Sequence, residues 1–374
     1  MFVEQLSACR IILKMMSIHW IYLLIAFSIS LVFSLIGTPF IVKLCNERGI
    51  LDQPNGRKVH KNAVPRMGGI LFMPSMGIGA AVTLAIIYGG LHQDFEITIS
   101  TIMMGIGALL IYVIGFLDDL NGMKAIHKFI IQSIAALLFP LCNLMISNLH
   151  GIFGIYEIPI WVSYPLTVFV ILLIVNAMNL IDGIDGLSSG FAILILSTFA
   201  VLFNGLGSQI FTLICAGLTG AVLAFFFYNM FGNVGGNKVF MGDSGSLFLG
   251  YVIAYLAIKY QMSDHRGFPY REYSLLISFT LVLIPCLDVI RVAIQRKLNG
   301  KNMFDADKTH IHHLLLKMGL SMHQTLFVIL IVFVAIACIN YGTYIAGLNQ
   351  TYIIISDIAI YAIFIWCVNN FRTA

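Results

Sequence analysis

Charge is scarce in this chain. Lys, Arg, Asp and Glu make up 10% of its 374 residues, where a soluble domain carries about a quarter. So few charges cannot furnish an ordinary water-facing surface, which excludes a soluble globular enzyme. The formal net charge of +4 is spread along the chain, and no nucleic-acid partner is expected. Cysteine is present but unpatterned. Cys9, Cys45, Cys142, Cys215, Cys286, Cys338 and Cys367 form no CxxC, and most lie in apolar runs. They read as small buried hydrophobes and imply neither a zinc site nor a disulfide framework. No fixed-period repeat and no soluble segment of any size is visible. The opening MFVEQLSACRIILKMMS has no small-residue cleavage site, so it reads as a short amphipathic lead-in rather than a signal peptide.

What the chain does have is apolar length. Hydrophobic residues make up 59% of it, and the mean hydropathy is +0.94. Runs of about 20 apolar residues, enough to cross roughly 30 Å of hydrocarbon, recur throughout. Lipid leaves no water for unpaired backbone groups, and the runs are too long for barrel strands, so the spans are helices. The expected class is an all-α, polytopic integral membrane protein forming one transmembrane domain over 1–374. We read about eleven spans, near 19–43, 68–90, 98–117, 128–147, 162–181, 187–204, 209–229, 244–261, 274–293, 324–346 and 351–371.

Lys and Arg set the orientation. Of the 21, only Arg10, Lys14, Lys259, Arg266 and Arg271 fall on the side of the N-terminus, so 21 − 5 leaves 16 on the other. That richer side is expected to be cytoplasmic, with the N-terminus outside and the C-terminus inside. Asp118, Asp119, Asp182, Asp185, Asp243 and Asp288 lie on the same side, each near the end of an apolar run. A carboxylate at membrane depth is costly unless it faces protein, water or a cation. Six such residues on one face suggest a shared site, built from loops 44–67, 118–128, 182–186, 230–243 and 291–323.

Each acidic motif has its own chemistry. In GFLDDLNGMKAIHKF, the adjacent Asp118 and Asp119 repel each other and call for a cation. Hard oxygen donors suit Mg²⁺, or Mn²⁺ as a substitute. Lys128 can reach a phosphate. In NAMNLIDGIDGL, a helical reading puts Asn176, Asn179, Asp182 and Asp185 on one polar stripe at steps of three. The competing reading is a tight Asp-Gly turn between two helices. In VFMGDSGSLFLG, Asp243 is either an N-cap or a metal ligand beside phosphate-binding backbone N–H groups. Phe240, three residues earlier, can stack on a base. The loop after the ninth span carries Arg291 and then His310, His312 and His313, which fit a polyanion better than zinc. The loop LDQPNGRKVHKNAVPRMGGI adds Arg57, Lys58, His60 and Arg66.

Carboxylates for Mg²⁺, cations for phosphate and a membrane-level location together suit phosphoryl-type transfer between a lipid and a cytoplasmic substrate. The motifs DQPNGRKVHKNAVPRMGGI, GFLDDLNGMKAIHKF, NAMNLIDGIDGL, VFMGDSGS and DKTHIHHLLLKMG resemble, in type and order, those of the polyprenyl-phosphate N-acetylhexosamine-1-phosphate transferases. These are glycosyltransferase family 4 enzymes, and the likeness is to their WecA-like branch. The resemblance implies transfer of a sugar 1-phosphate, by family default that of N-acetylglucosamine, from a UDP-sugar to undecaprenyl phosphate. UMP is released, Mg²⁺ is required, and the product starts an envelope polysaccharide in a bacterial inner membrane. It implies catalytic roles for Asp118, Asp119, Asp182, Asp185, His310, His312 and His313. It further implies substrate contacts from Lys128, Asn179, Phe240, Arg66 and Arg291, and metal contacts from Asp243 and Asn179. A homodimer is compatible with it. The MraY-like sister branch, which has three consecutive histidines, is an alternative that the H-I-H-H spelling disfavours. A carrier would place its charges near the midplane, often with inverted repeats, and a membrane phosphatase would release inorganic phosphate instead of UMP.

Overall fold

The computed structural model describes residues 2–53, 62–91, 98–263, 269–302 and 308–370, with side chains from residue 20 onward except at 90 and 91. Arg57, Lys58 and His60 lie outside the described residues. The chain is helical almost throughout. Its long helices are α1 (Phe2–Arg48), α2 (Phe72–Leu91), α3 (Ile99–Asn121), α4 (Ala125–Leu141), α5 (Ile160–Leu180) and α6 (Leu187–Gly205). They continue with α7 (Gln209–Phe231), α8 (Asp243–Gln261), α9 (Ser274–Leu298), α11 (Met322–Ile345) and α12 (Gln350–Asn370), and a short α10 (Ile311–Lys317) precedes α11.

Each expected span overlaps one long helix, but not all have the character of a span. Among the described residues, nine helices are long and apolar enough to cross a membrane. The exceptions are α4 and α8. Helix α4 has 17 residues, about 26 Å at 1.5 Å per residue. The expected run to 147 overshoots it, because the chain turns at Cys142 and enters a hairpin. That hairpin, β3 (Asn148–Ile152) against β4 (Ile155–Glu157), is antiparallel. The apolar pattern does not reveal it. A second antiparallel pair, β1 (Leu51–Asp52) with β2 (Val64–Pro65), closes the base of the first loop. Helix α1 runs unbroken for 47 residues, roughly 70 Å, so the expected lead-in is continuous with the first span.

Helix α8 falls short in apolarity because it meets protein rather than lipid. Every residue from Ser244 to Gln261 is buried, and α3, α5, α6 and α9 surround it. A helix enclosed in this way can carry polar groups that find internal partners. The Tyr251 hydroxyl donates to the carbonyl of Ala135 at 3.0 Å. Around its C-terminal half, its own Tyr255 and Tyr260 pack tilted and edge-on against Phe139, Phe199, Phe203 and Phe211. Most other helices turn an apolar stripe outward, as a lipid-facing helix must. Of the cysteines, Cys45, Cys215 and Cys286 are buried, whereas Cys338 is exposed on such a stripe.

The start of α8 is held against the end of α3. A Cβ on Gly115 would lie 2.6 Å from the Asp243 carbonyl oxygen and 2.6 Å from the Ser244 Cα. Gly115→Ala therefore forces the two helices apart, at a cost of about 1–3 kcal/mol. The expected result is a lower melting temperature for the purified protein in detergent. An unchanged melting temperature would contradict this close approach.

Candidate active site

Four helix ends converge at one end of the bundle: the C-termini of α3 and α5 and the N-termini of α4 and α8. The helix ends make the site because each leaves backbone N–H or C=O groups unpaired. Asp119 serves those of α8. Its Oδ1 accepts from the Asp243 backbone N–H at 2.9 Å and its Oδ2 from that of Ser244 at 3.0 Å. Gly242 precedes them with φ 75°, and a Cβ there would lie 2.1 Å from the Arg66 carbonyl and 2.5 Å from Asp119 Oδ2. Only glycine fits that conformation and that space. The Arg66 guanidinium donates to the Asp119 carbonyl. The backbone of Gly68 and Gly69 donates to the carbonyls of Phe240 and Met241, both at 2.8 Å. The first loop and the MGDSGS motif are thus joined through their main chains.

Lys128 is the central cation. Its Nζ lies 2.6 Å from Asp243 Oδ2 and 3.2 Å from Asp118 Oδ2. Asp118 Oδ1 also accepts from the Met123 N–H at 2.6 Å, which holds the α3–α4 turn. Asn179, the penultimate residue of α5, donates its Nδ2 to Asp243 Oδ1 at 3.1 Å and to Ser246 Oγ at 2.8 Å.

The helical stripe expected through Asn176, Asn179, Asp182 and Asp185 does not form. Helix α5 ends at Leu180, and residues 181–186 are turn. Two Asp-Gly pairs favour a turn over helix continuation, and Gly186 takes φ 78°. Asn176 faces elsewhere and donates to Gln132 Oε1 at 2.9 Å. Asp182 and Asp185 nevertheless both line the cavity. Asp185 pairs with Lys238 at 2.7 Å and receives a longer contact from Asn229 at 3.5 Å. Asp182 is raised to about 8 by burial and then by the charges of Asp243, Asp185 and Asp119.

The histidines divide. His313 lines the cavity, while His310 and His312 are buried. His312 packs on the turn, where a Cβ on Gly183 would lie 2.2 Å from its Nε2. Burial, followed by the neighbouring His313, pushes His312 down to about 3, so it is a neutral packing group. Arg291 does not line the cavity. It is held by Asp288 Oδ1 at 2.7 Å and by the Thr309 carbonyl at 2.6 Å.

The resulting cavity has a volume of about 380 Å³. Six carboxylates line it: Asp52, Asp118, Asp119, Asp182, Asp185 and Asp243, beside Asn179, Phe240, Ser246 and His313. Arg66 is the one Lys or Arg among the lining residues, while Lys128 pairs with Asp118 and Asp243 and Lys238 with Asp185. At about 4 Å and an effective dielectric near 20, each like-charge pair costs roughly 4 kcal/mol. Surplus carboxylate oxygen is the donor chemistry of a hard divalent cation. Among the described residues, no three His, Cys, Asp or Glu are grouped closely enough to cage a metal. Mg²⁺ needs no such cage, since it takes one or two carboxylates and completes its shell with water and substrate phosphate.

Asp52, Asn229 and Lys238 were not singled out by the sequence reading. Lys238 sits five residues before Asp243 in NKVFMGD, just outside the motif that drew notice.

A glycosyl transferase family 4 model matches residues 101–261. A protein named as a probable undecaprenyl-phosphate N-acetylglucosaminyl 1-phosphate transferase of Bacillus subtilis (strain 168) is 34% identical over 319 residues, which is 85% of this chain and 84% of that protein. The chain belongs to glycosyl transferase family 4. Other relatives agree with this placement. The undecaprenyl-phosphate alpha-N-acetylglucosaminyl 1-phosphate transferase of Escherichia coli (strain K12) is 27% identical over 80% of this chain and 78% of its own length. A decaprenyl-phosphate N-acetylglucosaminephosphotransferase of Mycobacterium tuberculosis (strain ATCC 25618 / H37Rv) is 30% identical over 80% and 76%. The family 4 match contains Asp118, Asp119, Lys128, Asn179, Asp182, Asp185 and Asp243, and ends at the last residue of α8.

In this family 4 chain the Asp185–Lys238 pair is largely enclosed, with side chains 10% and 13% exposed. Lys238→Met leaves an unpaired carboxylate, at a cost on the order of 3 kcal/mol. Adding Asp185→Asn to Lys238→Met should restore part of that loss in thermal unfolding. A double variant no more stable than Lys238→Met would contradict the pairing.

Proposed function

We propose that this chain transfers N-acetylglucosamine 1-phosphate from UDP-N-acetylglucosamine to undecaprenyl phosphate, in a Mg²⁺-dependent reaction that releases UMP and initiates an envelope polymer. The observation that carries this reading is the cluster of Asp118, Asp243 and Lys128 beside a polar cavity at the helix ends. The relatives' names support the lipid acceptor and the transferred group. About eleven spans, a bacterial inner-membrane location and a cytoplasmic active site belong to the same reading, supported by the Lys and Arg asymmetry.

An oxygen of the lipid phosphate attacks the sugar-bearing phosphorus of the UDP-sugar. The bond from that phosphorus to the bridging oxygen breaks, and UMP leaves with the electron pair. No covalent enzyme intermediate is needed. The lipid phosphate's second pKa is near 6, so at neutral pH it is already largely a dianion. The obstacle is repulsion between two anions. Asp243 and the Asn179 carbonyl oxygen would hold Mg²⁺, which supplies the positive charge that the diphosphate needs. Lys128 places a second cation beside Asp243, and Phe240 offers a ring face to the base. Asp119 has both oxygens engaged by the α8 backbone, so its role is positional.

Purified protein given UDP-N-acetylglucosamine and undecaprenyl phosphate should release UMP. Release of inorganic phosphate, or no release, would contradict the assignment. Asp243→Ala should abolish transfer, and near-normal turnover would remove Asp243 from the metal site. Asp119→Asn should lose activity equally at all pH values. A loss confined to low pH, where the lipid phosphate is protonated, would point to a general base instead. Protonated Asp182 must lose its proton as a cation binds. The Mg²⁺ concentration for half-activation should therefore fall between about pH 6.5 and about pH 8.5. Asp182→Asn should flatten that dependence, and an undiminished dependence would assign it to another group.

A further inference from the structure

Asp288 is a buried carboxylate that the mechanism above leaves unused. It lies on α9, is only 2% exposed and lines no part of the cavity. It receives four hydrogen bonds, from two other segments and its own helix. Arg291 donates to Oδ1 at 2.7 Å, the Ile311 backbone N–H to Oδ1 at 3.1 Å, and the Tyr361 hydroxyl of α12 to Oδ1 at 3.0 Å. His310 meets Oδ2 through Nδ1 at 2.7 Å. An ionised carboxylate can only accept, so it fixes the His310 tautomer with the proton on Nδ1. It also anchors the first turn of α10 through Ile311.

From there a row of three imidazole rings reaches the site. The His310 and His312 rings lie parallel within 5°, with centroids 6.1 Å apart. His312 abuts Gly183 of the Asp182–Asp185 turn and lies 4.2 Å, centroid to centroid, from His313. Asp182, Gly183, Asp185 and His313 all line the cavity.

We propose that Asp288 is a positioning residue for the active site: by fixing His310 it sets the His310–His312 stack that holds the Asp182–Asp185 turn and His313 in place. The inference rests on the transferase reading above. It goes beyond that reading by giving His310 and His312 a supporting task, fixed by a carboxylate that lies outside the five motifs.

The test is a kinetic double-mutant cycle on purified protein, with UMP release as the readout. Asp288→Asn retains one acceptor oxygen and faces the remaining donors with an amide. It should lower kcat/KM at least about ten-fold and raise the KM for UDP-N-acetylglucosamine, because cavity-lining groups move. A mere loss of folded protein lowers the apparent kcat and leaves KM unchanged. Combined with His310→Gln, Asp288→Asn should add no more than about two-fold further loss, since both act through one stack. Losses that multiply, or an unchanged KM, would overturn the proposal. Should Asp288→Asn fail to fold, Tyr361→Phe removes one bond to the same carboxylate. It should raise KM in the wild-type background and have no effect in His310→Gln. Wild-type KM in Tyr361→Phe would then reduce Asp288 to a folding role and overturn the proposal. Wild-type protein that releases no UMP would instead refute the transferase reading, so the two failures are distinguishable.

Discussion

Lys128 between Asp118 and Asp243 is the interaction on which the rest of the site depends. Six carboxylates at one end of a helix bundle repel one another strongly, and their separation from bulk water makes the repulsion worse. A single ammonium 2.6 Å from one carboxylate and 3.2 Å from another ties the end of α3 to the starts of α4 and α8. Without it those helix ends would carry like charge against like. The same ammonium holds two of the carboxylates that line the cavity.

The acids share out their tasks. Asp119 satisfies the free N–H groups of α8, Asp118 closes the α3–α4 turn, and Asp185 is neutralised by Lys238. Asp288 organises the histidine segment from behind. Asp243 is held by Lys128 and Asn179, and under the proposed reaction it and Asp182 are the carboxylates directed at a cation. The scaffold is also interlocked, since α8 begins on Asp119, α10 begins on Asp288, and the turn between α5 and α6 rests on His312.

The helices were legible because lipid demands apolar length, and hydropathy reads length directly. Its failures follow from the same cause. Helix α8 meets only protein, so its composition is mixed. Helix α4 stops at Leu141, and residues 142–147, whose apolar pattern extends the span, instead lead into the β3–β4 hairpin. The site residues were legible as types, because carboxylates and lysines are conspicuous in a chain with so few charges. Their arrangement was less so. The stripe through Asn176 and Asp182 fails because Asp-Gly pairs end α5, and a spacing of three fits a turn as well as a helix. Arg291 looked like a substrate contact, yet the carboxylate that claims it lies three residues earlier on the same helix. Lys238 and Asn229 gave no local signal, since their importance comes from partners some 50 residues away in sequence.

Under the proposed reaction, the cavity brings a lipid phosphate to the sugar-bearing phosphorus of a nucleotide sugar. Isotopic labelling of that phosphorus tests it most directly. With UDP-N-acetylglucosamine labelled only at the β-phosphorus, and undecaprenyl phosphate as acceptor, the account predicts label in the lipid product and unlabelled UMP. Label remaining in UDP, or appearing as free phosphate, would contradict it.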